Sequence, residues 1–422
     1  MKSKYIKLLP VALCAAMLFS GCGAGQTAVA STPATATVLS QAVQNSKAAT
    51  AGTADLAAEE TTGAYDAAFS KRDLSGEYDA SETIAIILNG NSANCDSEGV
   101  TVAGSTVTIT AAGTYLLSGT LDGTIIVDAT NEDKVQLVLD SVTIRSDTFA
   151  AIYVKQADKV FITLANGAVN TLSNGGAFTQ IDDNNVDAAI FSKDDLTLNG
   201  TGTLKISSPA GHGIVSKDEL TITDGSYEIS ASKHALSGKD SIAIADGTFT
   251  LTSGKDGLHS ENSDDETYGS IYIAGGTFTI SSADDGIHAN TLLTIDGGTF
   301  DITAAEGLEA TYIQINGGDT NIAASDDGIN AARKSSVSIP TVEFNGGTVT
   351  ITMGAGDTDG VDSNGNLIIN GGAINVTGRS AFDYDGAAQY NGGTIIVNGQ
   401  QVSSIPNQMM GGGFGKGGRN RG

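Results

Sequence analysis

Acidic and imidazole side chains recur at two fixed positions along the C-terminal half of the sequence. A small residue followed by a large apolar one recurs at Gly213-Ile214, Ala235-Leu236, Gly257-Leu258, Gly286-Ile287, Gly307-Leu308, Gly328-Ile329, Gly360-Val361 and Ala381-Phe382. The first column, two positions before the large residue, is His212, His234, Asp256, Asp285, Glu306, Asp327, Asp359 and Ser380. The second column, one position after it, is Val215, Ser237, His259, His288, Glu309, Asn330, Asp362 and Asp383. If the units stack, each column forms a line of side chains.

The chemistry that these columns predict is calcium binding. Carboxylates stacked at strand spacing, about 4.8 Å, repel one another unless a cation lies among them, and Ca²⁺ binds oxygen ligands. We predict more than one Ca²⁺ ion, held by Asp256, Asp285, Glu306, Glu309, Asp327, Asn330, Asp359, Asp362 and Asp383. The glycine inside each unit is expected to expose its carbonyl as a further ligand. Oxygen ligands outnumber His259 and His288, which disfavours transition metals, and a solvated acidic face is the alternative to any metal site.

The spacing of the units predicts the fold that must position these residues. The steps between units are 22, 22, 29, 21, 21, 32 and 21 residues, so two units are lengthened by insertions near 261–267 and 333–340. Each unit contains three short segments that alternate apolar and polar residues, separated by Gly turns. This pattern indicates an all-β parallel β-helix, with three strands per coil of about 21–22 residues.

A third regular feature is a row of Thr residues around an apolar residue. The segments are Thr248-Phe249-Thr250, Thr277-Phe278-Thr279, Thr299-Phe300-Asp301 and Thr348-Val349-Thr350. We expect the Phe and Val side chains to point inward and the hydroxyls to form a flat outer face. Such a face suits a crystalline polysaccharide or ice, although the β-propensity of Thr alone is a sufficient explanation.

Charge excludes several classes of partner. The 422 residues carry 48 acids and 22 bases, a formal charge of −26, which repels phosphate backbones and anionic lipids. We therefore expect no nucleic-acid partner, and membrane contact only through a lipid anchor.

The N-terminus resembles a bacterial lipoprotein signal with its lipobox. Lys2, Lys4 and Lys7 precede an apolar run over 8–19, and the sequence Phe-Ser-Gly ends at Cys22. The resemblance implies cleavage before Cys22, lipidation of its thiol, and an extracellular protein anchored to the bacterial membrane; an ordinary secretory signal is the alternative. Of the three cysteines, this leaves Cys95 alone, which excludes an intramolecular disulfide framework.

These observations divide the chain into four parts. Residues 1–21 are the signal peptide, 22–75 a disordered tether, 76–407 the parallel β-helix and 408–422 a Gly-rich disordered tail. We expect a monomer.

Several segments are similar to the carbohydrate-binding β-helix proteins of clostridial cell surfaces, whose fold looks like that of pectate lyases. The similar segments include LNGNS at 88–92, AGTYLLSG at 112–119, KVQLVL at 134–139 and AAIFSKDDLT at 188–197, together with the Asp-Gly-Ile units. The resemblance covers about residues 80–415. It implies a right-handed parallel β-helix that binds Ca²⁺ at the two columns and binds cellulose or acidic sugars such as polygalacturonate.

The function we predict is non-catalytic, calcium-dependent binding of a plant-type polysaccharide. Ca²⁺ would bridge to uronate carboxylates, with Lys255, Arg333 and Arg379 as secondary anion contacts. Tyr272 and Tyr312 are the aromatic candidates, since the chain has no Trp. The alternatives are a calcium-dependent polysaccharide lyase with Arg379 as the base, a surface adhesin or structural rod, and ice binding.

Overall fold

A computed structural model describes residues 68–355 and 358–407. Their regular structure is all β, and the strands form three parallel ladders in which each strand pairs with a strand one repeat further along the chain. Antiparallel pairing occurs in these residues at short hairpins near the two ends. The prediction of three strands per repeat is confirmed, because, apart from these hairpins, the three successive strands of a repeat belong to three different ladders.

The first ladder carries the large apolar residues of the repeat. Its strands are Val100–Ala103, Thr106–Ile109, Thr124–Asp128, Ile152–Gln156, Ala188–Ser192, His212–Ser216, Leu236–Gly238, Leu258–Ser260, Ile287–Ala289, Leu308–Ala310, Ile329–Ala331, Asp359–Ser363 and Ser380–Tyr384.

The second and third ladders share the long strand Lys134–Ser146 and follow the two remaining segments of each repeat. The second contains Lys159–Leu164, Asp195–Gly200, Glu219–Ile222, Ser241–Ile244, Ser270–Ile273, Leu292–Ile295, Tyr312–Ile315, Thr341–Phe344, Asn366–Ile369 and Ala388–Tyr390. The third contains Ile84–Gly90, Ala93–Asn94, Gly113–Asp122, Val169–Asn174, Thr203–Ser208, Ser226–Ala231, Thr248–Ser253, Thr277–Ser282, Thr299–Ala304, Asp319–Ala324, Thr348–Met353, Ala373–Thr377, Thr394–Val397 and Gln400–Val402.

The register predicted from the sequence is the register of the first ladder. Ile214 pairs with Leu236, Leu236 with Leu258 and Leu258 with Ile287, and the pairing continues in the same phase to Phe382. These residues are fully buried. Because strand side chains alternate between two faces, fixing this row inward places the residues on either side of it outward.

Aromatic rings stack inside the third ladder. Tyr227, Phe249, Phe278 and Phe300 are buried, with successive ring centroids 5.1, 4.6 and 4.7 Å apart and nearly parallel planes. The flanking Thr248, Thr277 and Thr299 are exposed, as predicted. Identical register in neighbouring strands therefore aligns like with like inside and outside the sheet.

Side-chain amides form a further ladder, which we call the amide ladder, at the turns that directly follow the strands of the second ladder. Asn316 donates to Asp296, and Asn345, Asn370 and Asn391 each donate from Nδ2 to Oδ1 of the preceding Asn, at 2.7–2.8 Å. An amide carries both a donor and an acceptor, so each inner member bonds to both neighbours.

Residues 68–75, which the sequence analysis assigned to the tether, pack on the second ladder. Phe69 and Asp73 are buried. The Asp73 carboxylate lies 2.7 Å from Lys159 Nζ and accepts from Thr197 Oγ1 at 2.6 Å. Its backbone carbonyl accepts from Asn199 Nδ2 and Thr223 Oγ1. The packed region therefore begins before residue 76 and is clamped to three successive repeats.

Other predicted features lie outside the described residues, namely the signal peptide, Cys22, most of the tether and the tail from residue 408. Within 68–355 and 358–407, there is no helix of the length and apolarity needed to cross a membrane.

Candidate metal centre

The two columns form one continuous line along the first ladder, which we call the acid–histidine stack. In the second column, strand pairing places His259 beside His288, His288 beside Glu309 and Asn330 beside Asp362. First-column residues are held in phase by backbone bonds from the neighbouring glycines, as from Gly286 N to Glu306 O and from Gly307 N to Asp327 O. The predicted columns are therefore confirmed as columns in space.

Within the described residues, three overlapping trios bring one ligand atom per residue within 4.8 Å of one another. They are His234 with Asp256 and His259, Asp256 with Asp285 and His288, and Asp285 with Glu306 and Glu309. The last trio comes from neighbouring units that carry acids in the two columns, as do Asp359, Asp362 and Asp383. The structure does not bring Asp359, Asp362 and Asp383 equally close.

Positive side chains occupy the centre of the stack. His288 Nδ1 lies 2.8 Å from Asp285 Oδ2 and 2.7 Å from Glu309 Oε2, and Lys334 Nζ lies 2.6 Å from Glu309 Oε1. Burial alone would lower the pKa of His288, but these carboxylates raise it to about 10. Burial would raise the pKa of Glu309, yet His288 and Lys334 lower it to about 2. At neutral pH, this ion cluster balances its own charge.

Further toward the C-terminus lie Asp327, Asn330, Asp359, Asp362 and Asp383, which we call the carboxylate end. Burial and the neighbouring acids raise the pKa of Asp362 to about 7, and burial raises that of Asp327 to about 6 despite a backbone hydrogen bond from Asp359. Among the described residues, no Lys, Arg or His lies within ion-pair distance of Asp327, Asp362 or Asp383. Asp327 and Asp362 resist ionisation because they are buried among other acids, and no Lys, Arg or His of the described residues is near enough to offset their charge.

Glu306 lies between the centre and the carboxylate end. Burial and the Glu309 charge raise the pKa of Glu306 to about 8, and Asn330 Nδ2 donates to its Oε2 at 3.0 Å. Burial also raises the pKa of Asp285 to about 6, against the hydrogen bond from His288. At neutral pH, Glu309 and Asp285 are therefore ionised, whereas Glu306 holds its proton.

At the opposite end, the four histidines stack face to face, and we call His212, His234, Asp256 and His259 the histidine end. Ring centroids are 4.9 Å apart for His212 and His234, 4.0 Å for His234 and His259, and 5.0 Å for His259 and His288. Burial would raise the pKa of Asp256, but His234 and His259 lower it well below its usual range. Register alone therefore assembles an imidazole-rich site.

The glycines of the stack serve packing. The carbonyls of Gly286, Gly307 and Gly328 accept backbone N–H groups of the neighbouring repeat at 3.1–3.2 Å, so the prediction that they are exposed as metal ligands is wrong. A Cβ at Gly307 would lie 2.4 Å from Gly328 O and 2.5 Å from Ile322 Cγ2. Close approach of adjacent coils excludes a side chain at this position.

The predicted sugar-contacting residues fall into two groups. Lys255, Arg333 and Arg379 are exposed; Lys255 and Arg379 immediately precede the first column. Arg379 forms no ion pair with Asp383, although the sequence places the two close together. Tyr272 and Tyr312 lie instead on the second ladder, partly buried, with their hydroxyls donating to Asp296 at 2.8 Å and Glu343 at 2.6 Å. The structure does not bring these tyrosines together with the stack.

Sequence reasoning missed Lys334 and the grouping of His234 with Asp256 and His259. Lys334 belongs to the insertion near 333–340. Because an insertion has no equivalent position in the other repeats, the repeat pattern does not predict that Lys334 contacts Glu309. Ser335 Oγ in the same insertion donates to Glu266 O at 2.6 Å, so the two insertions meet beside the stack. His234 was visible in the first column, and its proximity to His259 follows from the register.

The protein is thus all β, built of stacked parallel ladders, one of which carries a line of acidic and imidazole side chains. A family model for "carbohydrate-binding domain-containing protein" matches residues 103–360, more than half of the chain, and the chain belongs to that family.

Two further comparisons found similar proteins. A protein of Acetivibrio thermocellus with the same description is 38% identical over 150 residues, which cover 35% of this chain and 52% of the relative. The chain thus matches about half the length of that relative. A solved structure described as the polysaccharide lyase-like protein from C. thermocellum, gadolinium derivative, is 27% identical, with a TM-score of 0.48, covering 73% of this chain and all of that one.

Proposed function

We propose that the protein is a non-catalytic, calcium-dependent carbohydrate-binding protein of the bacterial cell surface that recognises an acidic, polygalacturonate-like polysaccharide. Cellulose is a further candidate ligand, on the Thr face. The observation that carries the calcium part is the unmet bonding capacity of the carboxylate end. Asn330 Oδ1 and Asp383 Oδ1 are shielded from solvent and have no hydrogen-bond partner in the described residues.

The donor set at this end fits Ca²⁺. Carboxylate and amide oxygens are the ligands that hard cations prefer, and a buried acceptor without a donor costs about 1–3 kcal/mol. Asp327, Asn330, Asp362 and Asp383 would hold the ion, which would supply the positive charge that His288 and Lys334 supply at the centre. Asp359 shares this register and would take part.

The exposed basic side chains support an acidic polysaccharide as the ligand. Lys255 and Arg379 occupy equivalent positions beside the stack, and Arg333 lies in the insertion that reaches Glu309 through Lys334. Uronate carboxylates could bridge bound cations and contact these side chains. The net charge of −26 makes such cation bridging necessary for an anionic ligand to approach.

We further propose that the three ladders wind as a right-handed parallel β-helix, held outside the cell by a lipid on Cys22 and acting as a monomer. Parallel pairing of each strand with its counterpart one repeat later supports the winding. The charged start, the short apolar run and Cys22 support the anchor.

A glycan array probed with Ca²⁺ and again with chelator tests the function. We expect binding to polygalacturonate that requires Ca²⁺, and weaker binding by Asp362→Asn. The matched control is Asp301→Asn, an equal charge change on the third ladder. Equal binding with and without chelator, or equal loss in both variants, contradicts the proposal.

The lyase alternative is tested on the same ligand. A lyase would release unsaturated ends from polygalacturonate in Ca²⁺, and Arg379→Ala would abolish their absorbance. We expect no product above the background rate, because Arg379 is exposed and forms no ion pair in the described residues that would hold it in one position.

A further inference from the structure

The histidine end offers a different donor set from the rest of the stack. His234 Nδ1 lies 3.1 Å from Asp256 Oδ2, and His259 Nδ1 lies 2.6 Å from the same oxygen. Two imidazole nitrogens and one carboxylate oxygen thus converge on one point. This combination suits borderline divalent metals such as Zn²⁺, whereas Ca²⁺ prefers oxygen ligands alone.

The hydrogen bonds around Asp256 leave this point electron-rich. Asp285 N donates to Asp256 Oδ1 at 3.2 Å, which orients the other oxygen toward the imidazoles. Asp256 N donates to His234 Nδ1 at 3.2 Å, so this nitrogen acts as an acceptor. A ring nitrogen cannot accept one hydrogen bond and donate another. The lone pair of His234 Nδ1 is therefore turned toward Asp256, whose N–H holds it and whose Oδ2 lies 3.1 Å away, and a cation bound between this nitrogen and this oxygen would replace that long hydrogen bond.

Access and outer-shell support are also present. His212, His234 and His259 line a surface groove of about 280 Å³. His259 Nε2 lies 3.5 Å from Glu261 Oε2, the kind of outer carboxylate that fixes the orientation of a metal-binding imidazole. The lysines of the groove are engaged elsewhere: Lys239 pairs with Asp264, and Lys217 lies over the Phe191 ring.

We propose that His234, Asp256 and His259 form a transition-metal site of the Zn²⁺ class, separate from the calcium ligands of the carboxylate end. The stack would then be graded along its length, from imidazole ligands through an internal ion cluster to oxygen ligands. The open groove leaves room for solvent or a ligand group at the metal. This inference does not depend on calcium or sugar binding.

Calorimetric titration of Zn²⁺ into the chelator-stripped full chain, with millimolar Ca²⁺ present, tests the site. We expect one Zn²⁺ per chain, and His234→Gln and His259→Gln should each weaken binding by at least ~100-fold, the upper range for loss of an outer-shell partner. His212→Gln is the matched control, because it alters the same imidazole stack outside the trio. It should leave the affinity within about twofold.

The remaining outcomes are decisive in either direction. Zinc binding unchanged by both trio variants, or displaced by Ca²⁺, overturns the site. Melting curves in Ca²⁺ verify folding, and if His234→Gln does not fold, His259→Gln alone decides, since His259 is more exposed. Asp362→Asn should reduce calcium binding and leave zinc binding intact. If the wild-type chain binds Ca²⁺ but no Zn²⁺, this inference is rejected. If it binds Zn²⁺ but no Ca²⁺, the proposed calcium site is rejected.

Discussion

The amide ladder and the acid–histidine stack are built on the same repeat but satisfy their polar groups differently. Asn345 donates to Asn316 and accepts from Asn370, so the amide ladder is satisfied within the protein. Ionised carboxylates only accept, and the carboxylate end leaves Asp383 Oδ1 without a donor. One repeated geometry therefore satisfies its own polar groups when it repeats amides and leaves acceptors without donors in the described residues when it repeats acids.

Removing calcium should cause the largest change in stability, because only the carboxylate end is proposed to need a cation. Each ion bound only by the folded chain stabilises it by about 2.7 kcal/mol at a hundredfold excess over Kd, so two ions contribute about 5 kcal/mol. We expect chelator to lower the Tm by several degrees in calorimetric scans. Identical scans in chelator and in millimolar Ca²⁺ would exclude calcium as a structural ligand.

Breaking the amide ladder should cost less and be independent of calcium. Asn345→Leu keeps the side-chain volume but removes the donor to Asn316 Oδ1 and one of the two acceptors of Asn370 Nδ2, for a loss of about 1–3 kcal/mol in the free energy of unfolding. Asn391→Leu, at the exposed end of the ladder, loses one bond and should cost about 1 kcal/mol or less. Denaturant unfolding in Ca²⁺ and in chelator measures both. A cost for Asn345→Leu that changes with calcium would show that the two structures are coupled.

The pH dependence of the apo protein should sharpen the comparison. The folded-state pKa values of Glu306, Asp362 and His288 are raised to about 8, 7 and 10. The folded protein therefore retains protons that the unfolded chain releases, and its stability falls as pH rises from about 6.5 to 9.

The test is the Tm across that range in chelator. Ca²⁺ should flatten the fall by removing the carboxylate part of it, while the His288 part remains. Asn345→Leu should show the same loss at every pH, because amides do not titrate. A Tm that rises between pH 6.5 and 9 in chelator would contradict the assigned directions.

Glu306→Gln should have the smallest effect on stability and a clear one on affinity. The raised pKa keeps Glu306 largely protonated at neutral pH, so a neutral amide should change apo stability by no more than about 0.5 kcal/mol. Calcium affinity should fall, because Ca²⁺ bound at the neighbouring Asn330 would favour loss of the Glu306 proton, whereas the amide cannot become charged. Calorimetric titration against wild type and Asp301→Asn measures this, and unchanged stoichiometry and affinity would mean that Glu306 holds no ion.

The fold and the columns could be predicted because both follow from period. Alternation fixes which face each residue occupies, and the 21–22-residue repeat fixes what lies beside it, as the Leu258–Ile287 and His259–His288 pairs show. Partners that come from outside the repeat could not be predicted. Lys334 arrives on an insertion, and the engagement of the Gly307 carbonyl depends on how closely adjacent coils approach. The packing of Phe69 and Asp73 could not be predicted either, because it depends on the surface of the second ladder, which the local sequence around them does not describe.

The Asp73 clamp determines how the molecule carries mechanical load. A pull on the chain ahead of residue 68 reaches the fold through Lys159, Thr197 and Asn199, on two strands of the second ladder, together with Thr223 in the next repeat. The force is shared among these repeats as shear, instead of peeling Ile84–Gly90 from the end of its ladder. The three ladders should therefore resist tension from the N-terminal side until the contacts of Asp73 break. Their strands should separate one by one only afterwards.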